Sequence, residues 1–511
     1  MAWLIGLGIL ALIVIAVAIH DLLQTRDPIL RNFPVVGHGR HVLQELGPKL
    51  RQYIVANNNE ERPFSRDQRD WIYRSADKSN NYFGFGTDND LENANGYLII
   101  KQTTFPVLDT QPNDPAYDPN YSIPCAKVLG QFRNRAKAFR PNSIINISAM
   151  SYGSLSGAAV EAINRGCKIS DCMHNTGEGG IAPHHDHGGG LIWQLGTGYY
   201  GARLDNGRFN ESLFAETCEK FDVRAVEVKL SQGAKPGRGG VLPAKKITAE
   251  ISKIRNVPMG KNCLSPAAHV EFSNADELLD FVERLADVTG GIPIGIKSAV
   301  GQMDFWTELA QLMESGQRGV DFIAIDGGEG GTGAAPLTFS DHVSLPFKLG
   351  FNRVYHEFTE KNLHEKIVFM GAGKLGFPQE SLLAMAMGVD MIYVAREAMI
   401  SIGCIQAQIC QTGKCPTGVA TQSKWLMRGL DPTDKSARLA NYITTLRKEI
   451  LQLCHACGKR HPAMMTLDSL EMLQEGFSSI SVQECFGLTG MPPTPSAEDL
   501  QAIEKIMRRE K

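Results

Sequence analysis

Positive and negative charge are nearly balanced in this sequence, which sums to −3 over 511 residues, and no basic stripe interleaved with aromatic residues breaks the balance. That absence removes the electrostatic case for binding nucleic acid. Eleven cysteines are scattered between Cys125 and Cys485 without the dense spacing of a small disulfide-stapled domain, so they read as reduced thiols in a cytoplasmic compartment. The C-x-x-C formed by Cys454 and Cys457 lacks both a second pair and a thioredoxin-like βαβ context, and carries little meaning alone. No internal repeat and no low-complexity tract is present, so a repeat architecture is not expected. Glycine, by contrast, is plentiful. With 51 glycines and 43% apolar residues the chain is globular and rich in tight turns. Its length exceeds one ordinary core, but a barrel of eight βα units with additions can hold several hundred residues.

From Ala2 to Ile19 the chain runs without a charge, about long enough at ~1.5 Å per residue to cross most of a ~30 Å hydrocarbon layer. Ala16-Val17-Ala18 resembles a signal-peptide cleavage site, but the basic stretch that precedes such a core is missing. Arg26, Arg31, Arg40, Lys49 and Arg51 all follow the run, and the positive-inside rule then puts the body in the cytoplasm. The reading is a single-pass anchor in the cell inner membrane over 1–20. A polar, asparagine-rich connecting and covering region over 21–140 follows, with a helical stretch from Gln44 to Val55 and loops such as QPNDPAYDPNYSIP.

From Ile144 short apolar runs alternate with glycine-rich turns and helical patterns. The runs are IINISAM, DCMHN, RAVEVK, NCLS, IPIGIK, DFIAI, KIVFM and DMIYVA; the helices include Asp276 to Leu285, Phe305 to Glu314 and Gln379 to Met387. Eight alternations predict an α/β fold, a closed (β/α)8 TIM barrel over 141–430 with its chemistry on the loops after the strands. A helical extension over 431–511 is expected to pack outside it.

Those loops carry the candidate site. After the seventh run comes GAGKLG, Gly371 to Gly376, and after the eighth Ala395-Arg396, a pairing that forms the phosphate site of many barrels. Lys297 ends the fifth run, where its ammonium can stabilise a developing negative charge or engage a carboxylate. Lys229 and Gln232 stand in a similar place after RAVEVK. NTGEGG and DGGEGGTGAAP let backbone approach a ligand closely and supply Asn175, Thr176, Glu178 and Thr332. His184, His185, Asp186 and His187 read as a loop turn, since neighbours so close rarely converge on one ion.

Cys404, Cys410 and Cys415 follow the last run at spacings of six and five. Structural zinc sites draw four ligands, usually in pairs two to four residues apart. Three thiolates better suit a cluster of iron and sulfide; idle thiols are the alternative.

SAMSYGSLS (148–156), NTGEGG (175–180), KLSQGAKPGRGG (229–240), GGEGGTGAAP (327–336) and GCIQAQICQTGKCPTGVATQ (403–422) resemble, in order, the motifs of the FMN-binding synthase domain of glutamate synthase. The resemblance spans roughly 130 to 455. It implies a barrel holding FMN, with Cys404, Cys410 and Cys415 ligating a [3Fe–4S] cluster, and reductive amination of 2-oxoglutarate through 2-iminoglutarate to L-glutamate. It further implies electrons from ferredoxin or a reductase subunit. Lys297 matches the lysine near the flavin ring. Ala149, Met150, Ser151 and Gln232, with Asn175, match flavin-lining positions; Gly371, Gly373, Ala395 and Arg396 match the phosphate loops; Glu178, Lys229, Gly331 and Thr332 fall where substrate is expected. The sequence departs from the family in showing no glutaminase domain, no C-terminal β-helix and no inserted ferredoxin motifs, and in carrying Ser298, Ala299, Val300 and Gly301 after the lysine. Ammonia is therefore expected from elsewhere. Two rival readings keep the fold: a transferase making N-methylglutamate from methylamine and glutamate, and an electron-relay subunit of a membrane complex.

Overall fold

The computed structural model describes residues 2–24, 27–55, 57–114, 117–488 and 495–508. Arg26, one of the basic residues behind the expected orientation, and Pro115 and Ala116 of the QPNDPAYDPNYSIP loop lie outside the described residues. The chain divides into two compact units, Met1–Trp71 and Ile72–Lys511.

The first unit opens with the helix Ala2–Leu23. Its large apolar side chains, among them Trp3, Leu4, Leu12 and Ile15, stand exposed. At its end Asp21 is fully buried and accepts the Val35 N–H at 2.9 Å. The next helix, Pro28–Asn32, is capped by Asp27, whose carboxylate accepts from the Ile29 and Leu30 N–H groups. His38–Leu50 follows and runs into a single π-helical turn, Arg51–Val55.

In the second unit eight parallel strands close into a barrel in sequential order: β1 (Ile145–Ile147), β2 (His174–Asn175), β3 (Leu191–Leu195), β4 (Val223–Lys229), β5 (Ile294–Ser298), β6 (Phe322–Asp326), β7 (Val368–Ala372) and β8 (Met391–Val394). The expected count is met with one exchange of members. LIWQL, Leu191–Leu195, is β3, whereas Cys263–Leu264 of the NCLS run pairs antiparallel with Val241–Leu242 in an excursion between β4 and β5. Both segments are short and apolar, and only the partner each finds across the chain decides which is barrel and which is hairpin.

Residues two apart share a face of a strand, so the barrel interior fills in layers. Its floor is apolar, with Ile192, Ala225, Phe322, Val368 and Met391 in one buried cluster that Cys125 and Leu129 join from the preceding segment. Lys127 closes that end, donating to the His364 and Ile367 carbonyls at 2.7 and 2.8 Å and to Asp390 at 2.9 Å. Helix Gly157–Ser170, whose N–H of Ala159 is capped by Ser156, packs against the long helix Pro432–Ala456. The contact is close because Gly166 has no side chain: a Cβ there would lie 2.8 Å from Leu439 Cδ2. The region after 431 is not helical throughout, since Leu470–Gln474 and Ser478–Ser481 form a small antiparallel sheet with Leu98–Ile100.

Candidate active site

Above the apolar floor lies a polar layer that sequence reasoning missed. Glu227 of β4, with no exposure to solvent, accepts hydrogen bonds from Asn175 Nδ2 at 2.8 Å, Gln194 Nε2 at 2.6 Å and the Tyr393 hydroxyl at 2.9 Å. Burial, reinforced by Glu227, holds the Tyr393 hydroxyl far above its ordinary range, so it stays a donor. The signal was available. A carboxylate in the middle of an otherwise apolar strand is rarely buried unless paired.

The next layer up carries charge. Lys229 and Lys297 are register partners at the ends of β4 and β5, which sets two ammonium-bearing side chains side by side at the barrel mouth. Lys297 is almost fully buried; its Nζ lies 3.4 Å from Ser148 Oγ, 3.7 Å from Asp326 and over the Tyr393 ring. Lys229 pairs with the half-buried Glu178 at 3.2 Å and donates to Gln232. Burial would raise the Glu178 carboxyl, but Lys229, Lys235 and Arg255 outweigh it and hold the group below its ordinary range. Burial and the Lys229 charge lower Lys235, with Glu178 opposing. The mouth therefore gathers Lys229, Lys235, Arg255 and Lys297 around two carboxylates, Glu178 beside Lys229 and Asp326 beside Lys297.

Backbone and side-chain bonds tie the loops into a ring. Gln232 Nε2 donates to the Gly331 carbonyl at 2.9 Å, the Gly233 N–H donates to Asp326 at 2.8 Å, and Ser231 meets Ser298 at 3.0 Å. Glycine at 331 lets the Arg396 side chain lie against the loop, since a Cβ would sit 2.6 Å from Arg396 Cδ. Arg396 donates to the Glu329 carbonyl at 2.6 Å, and burial lowers its guanidinium. Met150 donates its N–H to the Asn175 carbonyl, and its own carbonyl receives the His185 Nε2–H at 3.0 Å.

The structure thus gathers Ser151, Met150, Glu178, Lys229, Gln232, Lys297, Gly331 and Arg396 at the C-terminal ends of the strands. Others behave differently. Asn175 points down into the polar layer, its amide occupied by Glu227, Tyr393 and the Gly177 N–H. Gly371 lies inside β7 with ladder partners on both sides, and its missing Cβ makes room for Phe347, whose Cζ would be 2.8 Å away. Gly373 begins the loop after β7, where Glu329 lies 3.3 Å from its Cβ position; burial raises the Glu329 carboxyl toward its neutral form. Ala395 leads from β8 into helix Arg396–Ser401. Ala149 is half-buried beside Met150, and the Thr332 hydroxyl pairs with Ala334 of its own loop.

The cysteine loop is folded against the β1 loop. Ser156 donates its N–H to the Val419 carbonyl at 2.9 Å, and Gln422 donates to the Leu155 carbonyl at 2.8 Å. Burial pushes the Cys404 thiol up to about 11, with Cys410 and Cys415 adding to the rise, and burial with Cys415 raises Cys410. At Cys415 burial is outweighed by hydrogen bonds from Ala420, Thr417 and Val419, and the thiol is lowered. The three thiols are therefore near enough to feel one another. Among the described residues, no group of three or more histidine, cysteine or acidic side chains is disposed to grip a single ion.

Residues 124–460 match the conserved region in glutamate synthase. The chain is 35% identical to the glutamate synthase large subunit-like protein YerD of Bacillus subtilis (strain 168), covering 94% of this chain and 97% of that one. It is 34% identical to the archaeal glutamate synthase [NADPH] of Methanocaldococcus jannaschii over 61% of this chain, and spans 59% of that relative. A solved flavocytochrome b2 variant with sulfite bound covers 93% of this chain and 95% of its own at 13% identity and a TM-score of 0.45, too loose a likeness to bear on chemistry. With the barrel, the ordered loops and these similarities together, the chain belongs to the glutamate synthase family.

Proposed function

We propose that this chain is an FMN- and [3Fe–4S]-dependent oxidoreductase that aminates 2-oxoglutarate through 2-iminoglutarate to L-glutamate, with ammonia supplied from outside the chain. One observation carries the reading: Lys229 and Lys297, register partners at the barrel mouth above a layer of bound polar groups. Two adjacent, largely buried cations suit a dianionic acid, each worth more there than in water. FMN would be held at the same mouth, where Lys297 and Arg396 supply cations and where Gly331 and Gly373 let their loops pack closely against Arg396, Phe347 and Glu329. Cys404, Cys410 and Cys415, which lie on one loop folded against the β1 loop, would be the ligands of the cluster, whose soft metal takes thiolate sulfur. When bound, FMN would supply the hydride and the cluster the single electrons that restore it.

The chain's own groups do the rest. Lys229 and Lys297 draw in the substrate carboxylates. Ammonia adds to the keto carbon, Glu178, held ionised, takes a proton from the nitrogen once that C–N bond has formed, and Lys297 donates to the keto oxygen as it departs as water. The names of the archaeal-type relatives specify NADPH, and a pyridine-nucleotide reductase or ferredoxin is the proposed donor. The apolar helix Ala2–Leu23 is the proposed single-pass anchor in the cell inner membrane, leaving the body in the cytoplasm.

The test is anaerobic purification in detergent, analysis of flavin and iron, low-temperature EPR, and then assay with ammonium, 2-oxoglutarate and a chemically reduced donor. Glutamate formation with a three-iron signal that disappears in Cys410→Ser is expected. Full flavin with no iron would remove the cluster. Turnover of methylamine and glutamate without a donor would transfer the assignment to an N-methylglutamate-forming enzyme, and a stable partner with no turnover by the chain would favour an electron relay.

A further inference from the structure

Lys246 stands in the excursion between β4 and β5, on the short 3-10 turn Ala244–Lys246, far in sequence from the cysteine loop. It is buried, and its ammonium donates to three carbonyls from two separate segments: Cys410 at 3.0 Å, Ala420 at 3.3 Å and Ser154 at 3.2 Å. Its charge is felt by the thiols of Cys410 and Cys415. Among the described residues no carboxylate pairs with it. The cysteine loop offers none either, since from 398 to 430 there is neither aspartate nor glutamate, and Glu250, four residues on, is bonded to Tyr152. A buried ammonium without a counter-charge is strongly disfavoured unless an anion is close. Three carbonyl dipoles compensate part of the loss, and the negative charge that completes the balance is that of the cysteine sulfurs and what they hold.

We propose that Lys246 is a positioning and charge-tuning residue for the iron–sulfur centre: it clips the cysteine loop to the β1 loop and supplies the fixed positive charge that favours the reduced cluster. The proposal rests on the cluster reading above. Reduction adds one electron and no proton to an already anionic cluster, so a neighbouring cation stabilises the product more than the reactant. The same clip joins the cysteine loop to the segment that carries Ala149, Met150 and Ser151, holding the two expected cofactors at a fixed separation.

The test uses the full-length chain in detergent, anaerobically, with a dye-mediated redox titration read by the cluster EPR signal and by flavin absorbance. Lys246→Met, which keeps the stem and removes the charge, is expected to keep its iron and to favour the oxidised cluster by about tenfold at a fixed potential, equivalent to about 59 mV for one electron. The flavin midpoint should move far less. Lys246→Arg should restore the wild-type midpoint, and Lys245→Met, at the exposed neighbour, should leave it close to wild type because solvent screens that charge. A Lys246→Met cluster with the wild-type midpoint overturns the proposal while leaving the cluster assignment standing. If Lys246→Met cannot hold iron, the arginine variant decides: iron retained at the wild-type midpoint supports the role of charge, and iron lost there too overturns it. A wild-type protein with flavin and no iron overturns the cluster reading itself, and this proposal with it.

Discussion

His185, His269 and His461 are each buried with one ring nitrogen accepting and the other donating. Nδ1 of His185 accepts the Ala182 N–H while Nε2–H donates to Met150; Nδ1 of His461 accepts the Ala463 N–H while Nε2–H donates to Pro124. His269 lies 2.9 Å from both the Tyr199 hydroxyl and the Lys229 carbonyl. Each arrangement fixes the neutral ring, and protonation would destroy an accepting bond. Burial accordingly lowers all three to about 4. Between about 4 and about 6.5 the unfolded chain binds more protons than the folded one, so stability is full above about 6.5 and declines as pH falls through that window. The loss is on the order of 1–3 kcal/mol per histidine, and thermal unfolding midpoints at pH 7.5 and pH 5 should differ by several degrees; identical midpoints would refute it. The reactive end of the same scale is Lys297. Lys297→Met removes the buried ammonium without shortening the stem, and turnover with ammonium and 2-oxoglutarate should fall on the order of a hundredfold or more. Flavin content, measured on the same preparation, should stay near wild type. Full activity in that variant would rule out Lys297 as a reacting group.

Within the strands, Gly295 shows how one missing atom sets a layer. It lies inside β5, two residues before Lys297, and a Cβ there would come within 2.3 Å of Phe322 Cγ, on a ring with no freedom to leave the closed floor. Gly295→Ala should therefore destabilise the barrel by about 1–3 kcal/mol through overpacking. Phe322→Leu alone leaves a void, but combined with Gly295→Ala the two changes should cost less than their sum. Melting temperatures of the three variants check this; strict additivity would mean the ring escapes freely. The same strand explains what could be read from sequence. IPIGIK announces a strand by its β-branched residues, and Lys297 a site by its place at the end. Nothing local states that Gly295 is needed by Phe322, because their pairing lies across β5 and β6. Leu191–Leu195 and Cys263–Leu264 trade places for a related reason: a short apolar run carries no label saying which sheet it joins. Likewise Glu227 was visible as a charge in an apolar run, while its partners Gln194 and Tyr393 sit on strands remote in sequence.

At the scale of the whole molecule, the closed barrel was legible from the count of alternations, and the mouth from the glycine-rich loops, since a parallel barrel places all loops after its strands on one face. The vertical order of the site was not, because depth depends on register: Lys297 opposite Lys229 and Ala324, Asp326 opposite Ala372. The N-terminal helix is the remaining question of that scale. Trp3–Leu23 has a mean hydropathy of 2.6 and leaves its large apolar side chains exposed, properties shared by a membrane span and a signal sequence. The two make opposite predictions about the mature chain. A retained span requires the intact protein, with residues 2–19 present by mass spectrometry, to fractionate with membranes and to resist extraction by carbonate or high salt, because its attachment is apolar area removed from water rather than ion pairing. Deleting residues 2–23 should then move the protein to the soluble fraction without detergent, with its flavin retained. A cleaved signal would instead yield a mature chain beginning after Ala18, soluble from the start and unaffected in its distribution by that deletion once produced in the cytoplasm. Recovery of the shortened mature chain from cells would remove the anchor, and with it the placement of the barrel on the cytoplasmic side.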